Sequence, residues 1–194
     1  MVQLHVGVVG SGPLASLLVR RLVHVGHQVK VHVGESADRG NPAWRGAILV
    51  PVPADAAEDA ELVLLALPDE RAVEDGVFDC GGVSETLPDG HAVLNLSSVS
   101  AAYGIGAGER LATLGLRWLE GALVGSVSSA SSWPLCFIGS DGSPVSASLL
   151  RIGHDLAPHV DVRSGVACVA QLRQAHESLT TLAAGGGSLL PVPA

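Results

Sequence analysis

Residues 5–18 read HVGVVGSGPLASLL, and this stretch decides which fold the chain adopts. An apolar run over residues 4–9 precedes two glycines, and leucines then recur at helical spacing. These features predict a buried strand over residues 4–9, a tight turn, and an amphipathic helix over residues 13–25. Pro13 supports the start of this helix, because proline has no N–H to leave unpaired in a first turn.

The turn has the spacing Gly-x-Gly-x-x-Ala at Gly10, Gly12 and Ala15. Between a strand and a helix, this spacing predicts a dinucleotide-binding loop. The first glycine allows the turn, the second admits a pyrophosphate to the backbone, and the small third residue allows close helix–strand packing. The helix would direct free N–H groups and its positive dipole end at the anion. A turn of the same shape that binds nothing is the alternative.

The rest of the chain alternates short apolar runs with helical patterns, which predicts βαβ units. We therefore expect an α/β fold: a Rossmann-type, doubly wound, mostly parallel sheet with a long C-terminal helix. The expected domains are residues 1–164, followed by the helix at 165–184 and a flexible tail at 185–194. Further strands are predicted at 27–33, 48–52, 62–67, 92–96, 118–124, 135–139 and 160–163, and helices at 55–59, 69–77, 107–114, 145–156 and 166–184.

Composition excludes several classes of protein. The length of 194 residues predicts one domain, or one domain plus a short appendage, and the content of 47% hydrophobic and 3% aromatic residues predicts an aliphatic core. A net charge of −8 and the absence of a basic stripe argue against a nucleic-acid partner. No apolar run approaches the ~20 residues of a membrane span, and no basic leader is present, so we expect a cytoplasmic protein. Cys80, Cys136 and Cys168 form no C-x-x-C, so no metal site is predicted.

Residues after the second predicted strand bear on the choice between NAD and NADP. An NAD site usually places an acidic residue there for the ribose hydroxyls, whereas an NADP site places an arginine. Glu35 could hold the ribose, although it lies slightly late, and Arg39 could reach a 2′-phosphate if the loop folds back. The alternative for both is a solvated loop charge, which we favour for Arg39. The sequence thus predicts NAD or NADP, with NAD preferred.

Several stretches together resemble one known family. Residues 7–33, the segment AELVLLALPD at 60–69 and the segment VLNLSSVS at 93–100 resemble β-hydroxyacid and 6-phosphogluconate dehydrogenases. Asn95, Leu96 and the segment WLEGALV at 118–124 are more similar to imine reductases. The resemblance implies an N-terminal NAD(P)-binding domain. Family members continue into an all-helical C-terminal domain, and this sequence stops at Ala194, so a truncated family member is expected.

The resemblance also bears on catalysis. The hydroxyacid enzymes carry a catalytic lysine on the long helix, and alignment places Gln171 at that position. Glutamine forms hydrogen bonds but is not a proton donor or base near neutral pH. Tyr103, with Ser97 at the turn after the fifth strand, is the candidate proton donor and positioning pair. The alternative is that the serines are turn residues and Tyr103 packs against its neighbours.

The terminal helix carries small and apolar residues at spacings of four, three, four and three, which is a heptad-type seam. We expect a homodimer through this helix, because the missing domain would otherwise leave the seam exposed. Packing of the seam on its own domain is the alternative. Its residues are Cys168, Leu172, Ala175, Leu179 and Leu182.

Two functions remain open. The first is a minimal NAD(P)-dependent oxidoreductase acting on a small, mostly apolar C=N or C=O substrate, with a pocket near Ala122, Val124 and Val127. The second is a repurposed, non-redox protein, such as a cyclase, isomerase, lyase or cofactor-binding partner subunit. The intact glycine loop favours the first, and Gln171 favours the second. The predicted cofactor contacts are Gly10, Ser11, Gly12, Pro13, Leu14, Glu35, Leu67, Pro68 and Ser97.

Overall fold

A computed structural model describes residues 3–34, 39–124, 135–140, 142–165, 167–169 and 171–173 of the chain. Within these ranges one eight-stranded sheet is flanked by helices. The strands are β1 (His5–Val9), β2 (Gln28–His32), β3 (Ile48–Leu49), β4 (Leu62–Leu65), β5 (Ala92–Asn95), β6 (Arg117–Val124), β7 (Leu135–Ser140) and β8 (His159–Ser164). The helices are α1 (Pro13–His24), α2 (Pro53–Ala57), α3 (Glu70–Phe78), α4 (Ala101–Thr113) and α5 (Ala147–Leu156).

The strand order is β3-β2-β1-β4-β5-β6-β7-β8, and the one antiparallel pair among these strands is β6 with β7. β1 pairs with β2 on one side and β4 on the other, both in parallel. The direction of winding therefore reverses at β1, and a crevice opens there at the carboxyl ends of the strands. This topology confirms the predicted doubly wound, mostly parallel sheet of the Rossmann type.

Two aliphatic layers cover the two faces of the sheet. Leu18 of α1 and Ile152 of α5 belong to a buried cluster on one face. Val73 of α3 and Leu111 of α4 belong to a second cluster on the other face. Because both faces are covered, the central strands are continuous apolar runs rather than alternating ones. None of the helices described is long and apolar enough to cross a bilayer.

Two elements differ from their predicted bounds by three residues or more, each for a local reason. β3 is limited to Ile48–Leu49 instead of residues 48–52, because Pro51 cannot donate to the ladder. α4 begins at Ala101, six residues before the predicted start, because the Ser100 hydroxyl caps it by accepting from the Tyr103 N–H at 3.2 Å. The glycines inside α4 lowered its apparent helix propensity in the sequence. Residues 167–169 and 171–173 of the predicted terminal helix are helical, and its other residues lie outside the described ranges.

A buried histidine connects the first half of the sheet to α5. The Leu4 N–H donates to His27 Nδ1 at 3.2 Å, so the ring proton lies on Nε2. His27 Nε2 donates to Asp155 Oδ2 at 2.9 Å, and Arg151 Nε donates to the same oxygen at 2.7 Å. His27 is 5% exposed, so losing this ring would leave the buried Leu4 N–H without its acceptor and would leave the Asp155 carboxylate with Arg151 as its remaining described side-chain donor.

We expect His27→Ala to lower the free energy of unfolding by about 2–3 kcal/mol, because it removes one buried and one partly buried hydrogen bond and leaves a cavity. Urea unfolding measures this loss. His24→Ala, a change of the same type at an exposed site, should alter stability by less than about 0.5 kcal/mol. Equal stability of the two variants would contradict a structural role for the His27–Asp155 contact.

Candidate functional site

A cleft of about 360 Å³ lies at the carboxyl ends of β1, β4 and β5. Three loops form its walls, each following one of these strands. The position is the crevice at which parallel α/β sheets bind ligands. The lining residues are Ser11, Gly12, Pro13, Leu14, Ala66, Leu67, Pro68, Leu96, Ser97 and Ser98.

Gly10 brings the loop after β1 against the loop after β4. Its φ of +149° is strained for residues with a side chain. A Cβ added here would collide with the Ala66 carbonyl oxygen, which belongs to the backbone and has no rotamer to change. The Gly10 N–H also donates to the His32 carbonyl at 2.9 Å. The backbones of β1, β2 and β4 therefore meet at a residue that must be glycine.

Gly12 leaves the start of α1 open. It is the N-cap residue, no described side chain caps the helix, and its first turn contains no acidic residue. The Ser16 N–H donates to the Gly12 carbonyl at 3.1 Å, which leaves the N–H groups of Leu14 and Ala15 without helical partners. A Cβ on Gly12 would meet no atom within 4 Å. Free donors, the positive end of the helix dipole and open space together fit a phosphate group.

Ser97 holds together the loops after β4 and β5, which we call the Ser97 wall of the cleft. Its hydroxyl accepts from the Leu67 N–H at 2.9 Å, which joins the loops after β4 and β5. The Ser97 N–H donates to Asn95 Oδ1 at 3.0 Å, and Asn95 Nδ2 donates back to the Ser97 carbonyl at 3.2 Å. Ser97 is 2% exposed. The predicted contacts Leu67, Pro68 and Ser97 thus line the same cleft as Gly12, and the Leu67–Ser97 hydrogen bond joins two of its loops.

Behind this wall lies a buried charged cluster that the sequence analysis missed. Glu120 of β6 is fully buried and accepts hydrogen bonds from Asn95 Nδ2, Trp118 Nε1 and Arg173 Nη1 at 2.9–3.2 Å. Arg173 Nη1 also donates to the Gly121 carbonyl at 2.8 Å. Burial raises the pKa of the Glu120 carboxyl above its usual value, and the charge of Arg173 offsets part of that shift.

One sequence signal could have revealed this cluster. Glu120 interrupts an otherwise apolar strand, WLEGALV, and an acid inside a buried strand needs partners. Gly104 of α4 is the complementary signal, because a Cβ there would lie 2.7 Å from Glu120 Oε1. The small residue in the helix makes room for the carboxylate.

The structure does not bring Tyr103 to Ser97. The Tyr103 hydroxyl donates to Glu74 Oε2 at 2.9 Å, between α3 and α4, and Arg110 Nη1 contacts the same carboxylate at 2.8 Å. Burial, followed by the hydrogen bond to Glu74, raises the pKa of the Tyr103 phenol and makes it a weaker acid. The packing interpretation accounts for these contacts, and the catalytic role of Tyr103 stays a prediction.

The other predicted residues are dispersed. Gln171 is exposed, whereas Val169 and Arg173, four residues apart, share the buried face of the same helical segment. The catalytic role of Gln171 also stays a prediction. Arg39 Nη2 donates to the Val50 carbonyl at 3.5 Å, at the limit of a hydrogen bond. Glu35, Val127 and the seam residues beyond Leu172 lie outside the described ranges.

The cleft residues bind and orient better than they transfer protons. None of the ten described lining residues carries a group that titrates near neutral pH. Their backbone N–H groups and serine hydroxyls supply hydrogen bonds, and Leu14, Leu67 and Leu96 supply apolar surface. This composition suits a ligand with one anionic part and one flat, apolar part.

A family model described as the NAD binding domain of 6-phosphogluconate dehydrogenase matches residues 5–154. The match begins at β1, includes the Gly10–Ala15 loop and ends within α5. It confirms the family resemblance that the sequence motifs predicted.

Two known proteins are similar in sequence to about 70% of this chain. Cytokine-like nuclear factor N-PAC of Drosophila melanogaster is 28% identical over 140 residues, which are 71% of this chain and 23% of that protein. Glyoxylate/succinic semialdehyde reductase 1 of Arabidopsis thaliana is 26% identical over 135 residues, which are 70% of this chain and 47% of that protein. The chain therefore spans less than half the length of either relative.

Solved structures share the fold. The imine reductase from Myxococcus stipitatus in complex with NADP+ has a TM-score of 0.74 at 18% identity, over 93% of this chain and 62% of that one. Its V8 variant in complex with NAD+ has a TM-score of 0.71 at 20% identity, over 95% and 62%. At these identities the likeness supports the fold alone.

Gly10 and Gly12 should respond differently to the same substitution. We expect Gly10→Ala to lower the free energy of unfolding by more than about 2 kcal/mol, because the methyl group strains φ and meets a carbonyl oxygen. Gly12→Ala should change it by less than about 0.5 kcal/mol, because the added methyl group enters open space. Denaturant unfolding of the pair is the measurement, and equal losses would contradict the described loop geometry.

Proposed function

The chain belongs to the family of the NAD binding domain of 6-phosphogluconate dehydrogenase, and we propose that it binds NAD or NADP in this cleft for hydride transfer to a small C=O or C=N substrate. The observation that carries the proposal is the open start of α1 beside Gly12. Uncapped N–H groups facing open space stabilise a pyrophosphate, and the family provides the reason to expect one there.

The strand order suggests how the cofactor would lie. In this fold the adenosine ribose is held after β2, the pyrophosphate at the loop after β1, and the other half of the dinucleotide beyond the switch point. The N–H groups of Leu14 and Ala15 would hold the pyrophosphate, while Leu67, Pro68 and Ser97 would flank the nicotinamide. A bound nicotinamide supplies the hydride chemistry, and these residues orient it and exclude water.

A carbonyl or imine substrate is supported by the names of two similar proteins and by the apolar character of β6. One relative is named for glyoxylate and succinic semialdehyde, and one structural neighbour is an imine reductase. Both names describe reduction of a C=O or C=N bond. Half-buried Val124 lies on β6 four residues beyond Glu120, where the pairing with β5 ends, and offers apolar surface there, whereas Ala122 is fully buried. We propose a small, mostly apolar carbonyl or imine on this side of the cleft, with NAD preferred over NADP because Glu35 follows β2.

A second candidate is a cofactor-binding protein without redox chemistry of its own. The described cleft residues offer no group for proton transfer, and the Tyr103 hydroxyl is engaged by Glu74. One relative is named a nuclear factor rather than a reductase. This candidate predicts cofactor binding without turnover on aldehydes or imines, whereas the first predicts both.

Cofactor binding is tested by titrating the protein with NADH and NADPH and following nicotinamide fluorescence. We expect saturable binding, tighter for NADH, and a loss of at least about tenfold in Gly12→Val, because the branched side chain occupies the pyrophosphate position. Gly106→Val is the matched control, since a Cβ at Gly106 also meets no atom within 4 Å but lies on α4 away from the cleft. Absence of binding at millimolar concentrations of both cofactors would refute the proposed function.

We further propose that the heptad-type seam joins two copies of the chain. Cys168 is exposed and Leu172 is 40% exposed, whereas Val169 and Arg173 on the same segment face inward. The seam residues in the described part thus point away from their own domain, which supports a partner helix over intramolecular packing.

We expect Leu172→Asp to raise the dimer dissociation constant at least about tenfold, because it places a charge in an apolar helix contact. Sedimentation velocity over a range of concentrations measures this change. Gln171→Asp, one residue earlier and also exposed, is the control for added charge. A wild-type chain that stays monomeric at high micromolar concentration would refute the dimer.

A further inference from the structure

We propose that Arg173 is a positioning residue for the cleft. Through Glu120 and Asn95 it fixes the place of Ser97, and so it sets the affinity of the cleft for its cofactor. The inference rests on the proposed function, because its main consequence is observed in cofactor binding. Arg173 is not among the residues that line the cleft, and its effect would be indirect.

The first step is the orientation of the Asn95 side-chain amide. Asn95 Nδ2 lies 3.2 and 3.1 Å from the two carboxylate oxygens of Glu120. An ionised carboxylate only accepts hydrogen bonds, so it must face the NH2 group. Asn95 Oδ1 then faces the other way and accepts from the Ser97 N–H. The reversed amide would place oxygen against oxygen at Glu120 and N–H against N–H at Ser97.

The second step carries this orientation into the cleft. Asn95 holds both the N–H and the carbonyl of Ser97, so the amide determines the path of the backbone after β5. Ser97 in turn accepts from the Leu67 N–H through its hydroxyl. Ser97 and Leu67 both line the cleft. A single amide orientation therefore fixes two of the three loops that form the walls.

Arg173 keeps the carboxyl group of Glu120 ionised. Glu120 is fully buried, and its ionised form is maintained there only with a counter-charge. Among the described residues, Arg173 is the cation in contact with it, at 2.9 Å. The remaining contacts of the carboxylate come from Asn95 and from Trp118 Nε1, both neutral donors. Loss of Arg173 favours protonated Glu120, which is itself a donor and no longer fixes the amide of Asn95.

The strength with which Arg173 is held beside Glu120 is set by two opposing contributions. Arg173 Nε and Nη2 are buried and find no hydrogen-bond acceptor in the described structure. Buried, unpaired donors weaken the docked state of a side chain. The buried position of the Arg173 side chain, called docked here, is stabilised by the ion pair with Glu120 and destabilised by these unpaired donors. A cofactor that requires the ordered Ser97 wall would stabilise docking, and docking would strengthen cofactor binding by the same factor.

The test compares three arginine variants. We expect Arg173→Met to weaken binding of NADH or NADPH, whichever the wild type binds more tightly, by at least about fivefold. Arg173→Lys keeps a positive charge beside Glu120 and should restore affinity to within about threefold of the wild type. Arg163→Met is the matched control, because Arg163 is exposed on β8 and pairs with Asp161 alone among the described residues. It should bind as the wild type does.

Two measurements separate positioning from general loss of stability. Amide hydrogen exchange at Leu67, whose N–H donates to Ser97, should accelerate at least about tenfold in Arg173→Met without cofactor, while Val31 in β2 stays protected. In the double variant Ser97→Ala with Arg173→Met, the loss of cofactor affinity should be smaller than the product of the two single losses, because both act on the same wall.

The outcomes are distinguishable. Unchanged cofactor affinity in Arg173→Met, or unchanged exchange at Leu67, would overturn the positioning role even if the wild type binds cofactor well. If the wild type binds no cofactor, the proposed function fails, and exchange at Leu67 still decides whether Arg173 orders the wall. Accelerated exchange at Leu67 together with weakened binding, rescued by lysine, supports the proposal.

Discussion

The approach of Gly10 to the Ala66 carbonyl oxygen is the contact on which the site depends. It brings the loops after β1 and β4 together with no side chain between them. The Gly10 N–H also donates to the carbonyl of His32, the last residue of β2, and so joins β2 to the same junction. The chain leaves this junction directly into α1, so the helix start is aimed at the crevice. A side chain at this position would separate the loops and shift the uncapped N–H groups of α1.

The two sides of the cleft are built by different physical means. The Gly10–Leu14 side uses backbone groups close together in sequence, and its geometry follows from glycine, proline and one helix. The Ser97 side uses buried side chains far apart in sequence, since Arg173 reaches Glu120 across 53 residues and Asn95 across 78. The geometry of the Gly10–Leu14 side is determined almost entirely by its local sequence. The hydrogen bonds of the Ser97 side form only after the strands and the terminal helix have come together.

This difference explains what the sequence could predict. The loop, the central strands and the covering helices were predictable, because their signals are periodicity and spacing within a few residues. The Glu120 cluster was not predicted. An acid inside an apolar strand is a local signal that Glu120 needs partners, but no local pattern identifies Asn95 and Arg173, which are distant in sequence, as those partners. Tyr103 illustrates the same limit: its position beyond the β5 turn was correct, but the hydroxyl is directed to Glu74 by the packing of α3 against α4. The start of α4 was missed because Ser100 capping outweighs the glycines within the helix.

The location of the charges has a consequence for the chemistry of the cleft. Glu120 and Arg173 lie behind the Ser97 wall and neutralise each other, while the ten described lining residues are uncharged. Replacing a buried ion pair by apolar residues often leaves stability unchanged, so the pair is weak evidence for stability. Here its described contacts lead through Asn95 to the hydrogen-bonded Ser97 wall. Because the lining residues are uncharged, the charges in the cleft come from the bound ligand and from the positive end of the α1 dipole. Binding and orientation are thus separated from proton transfer, and a proton donor for the proposed reduction would have to come from outside these lining residues.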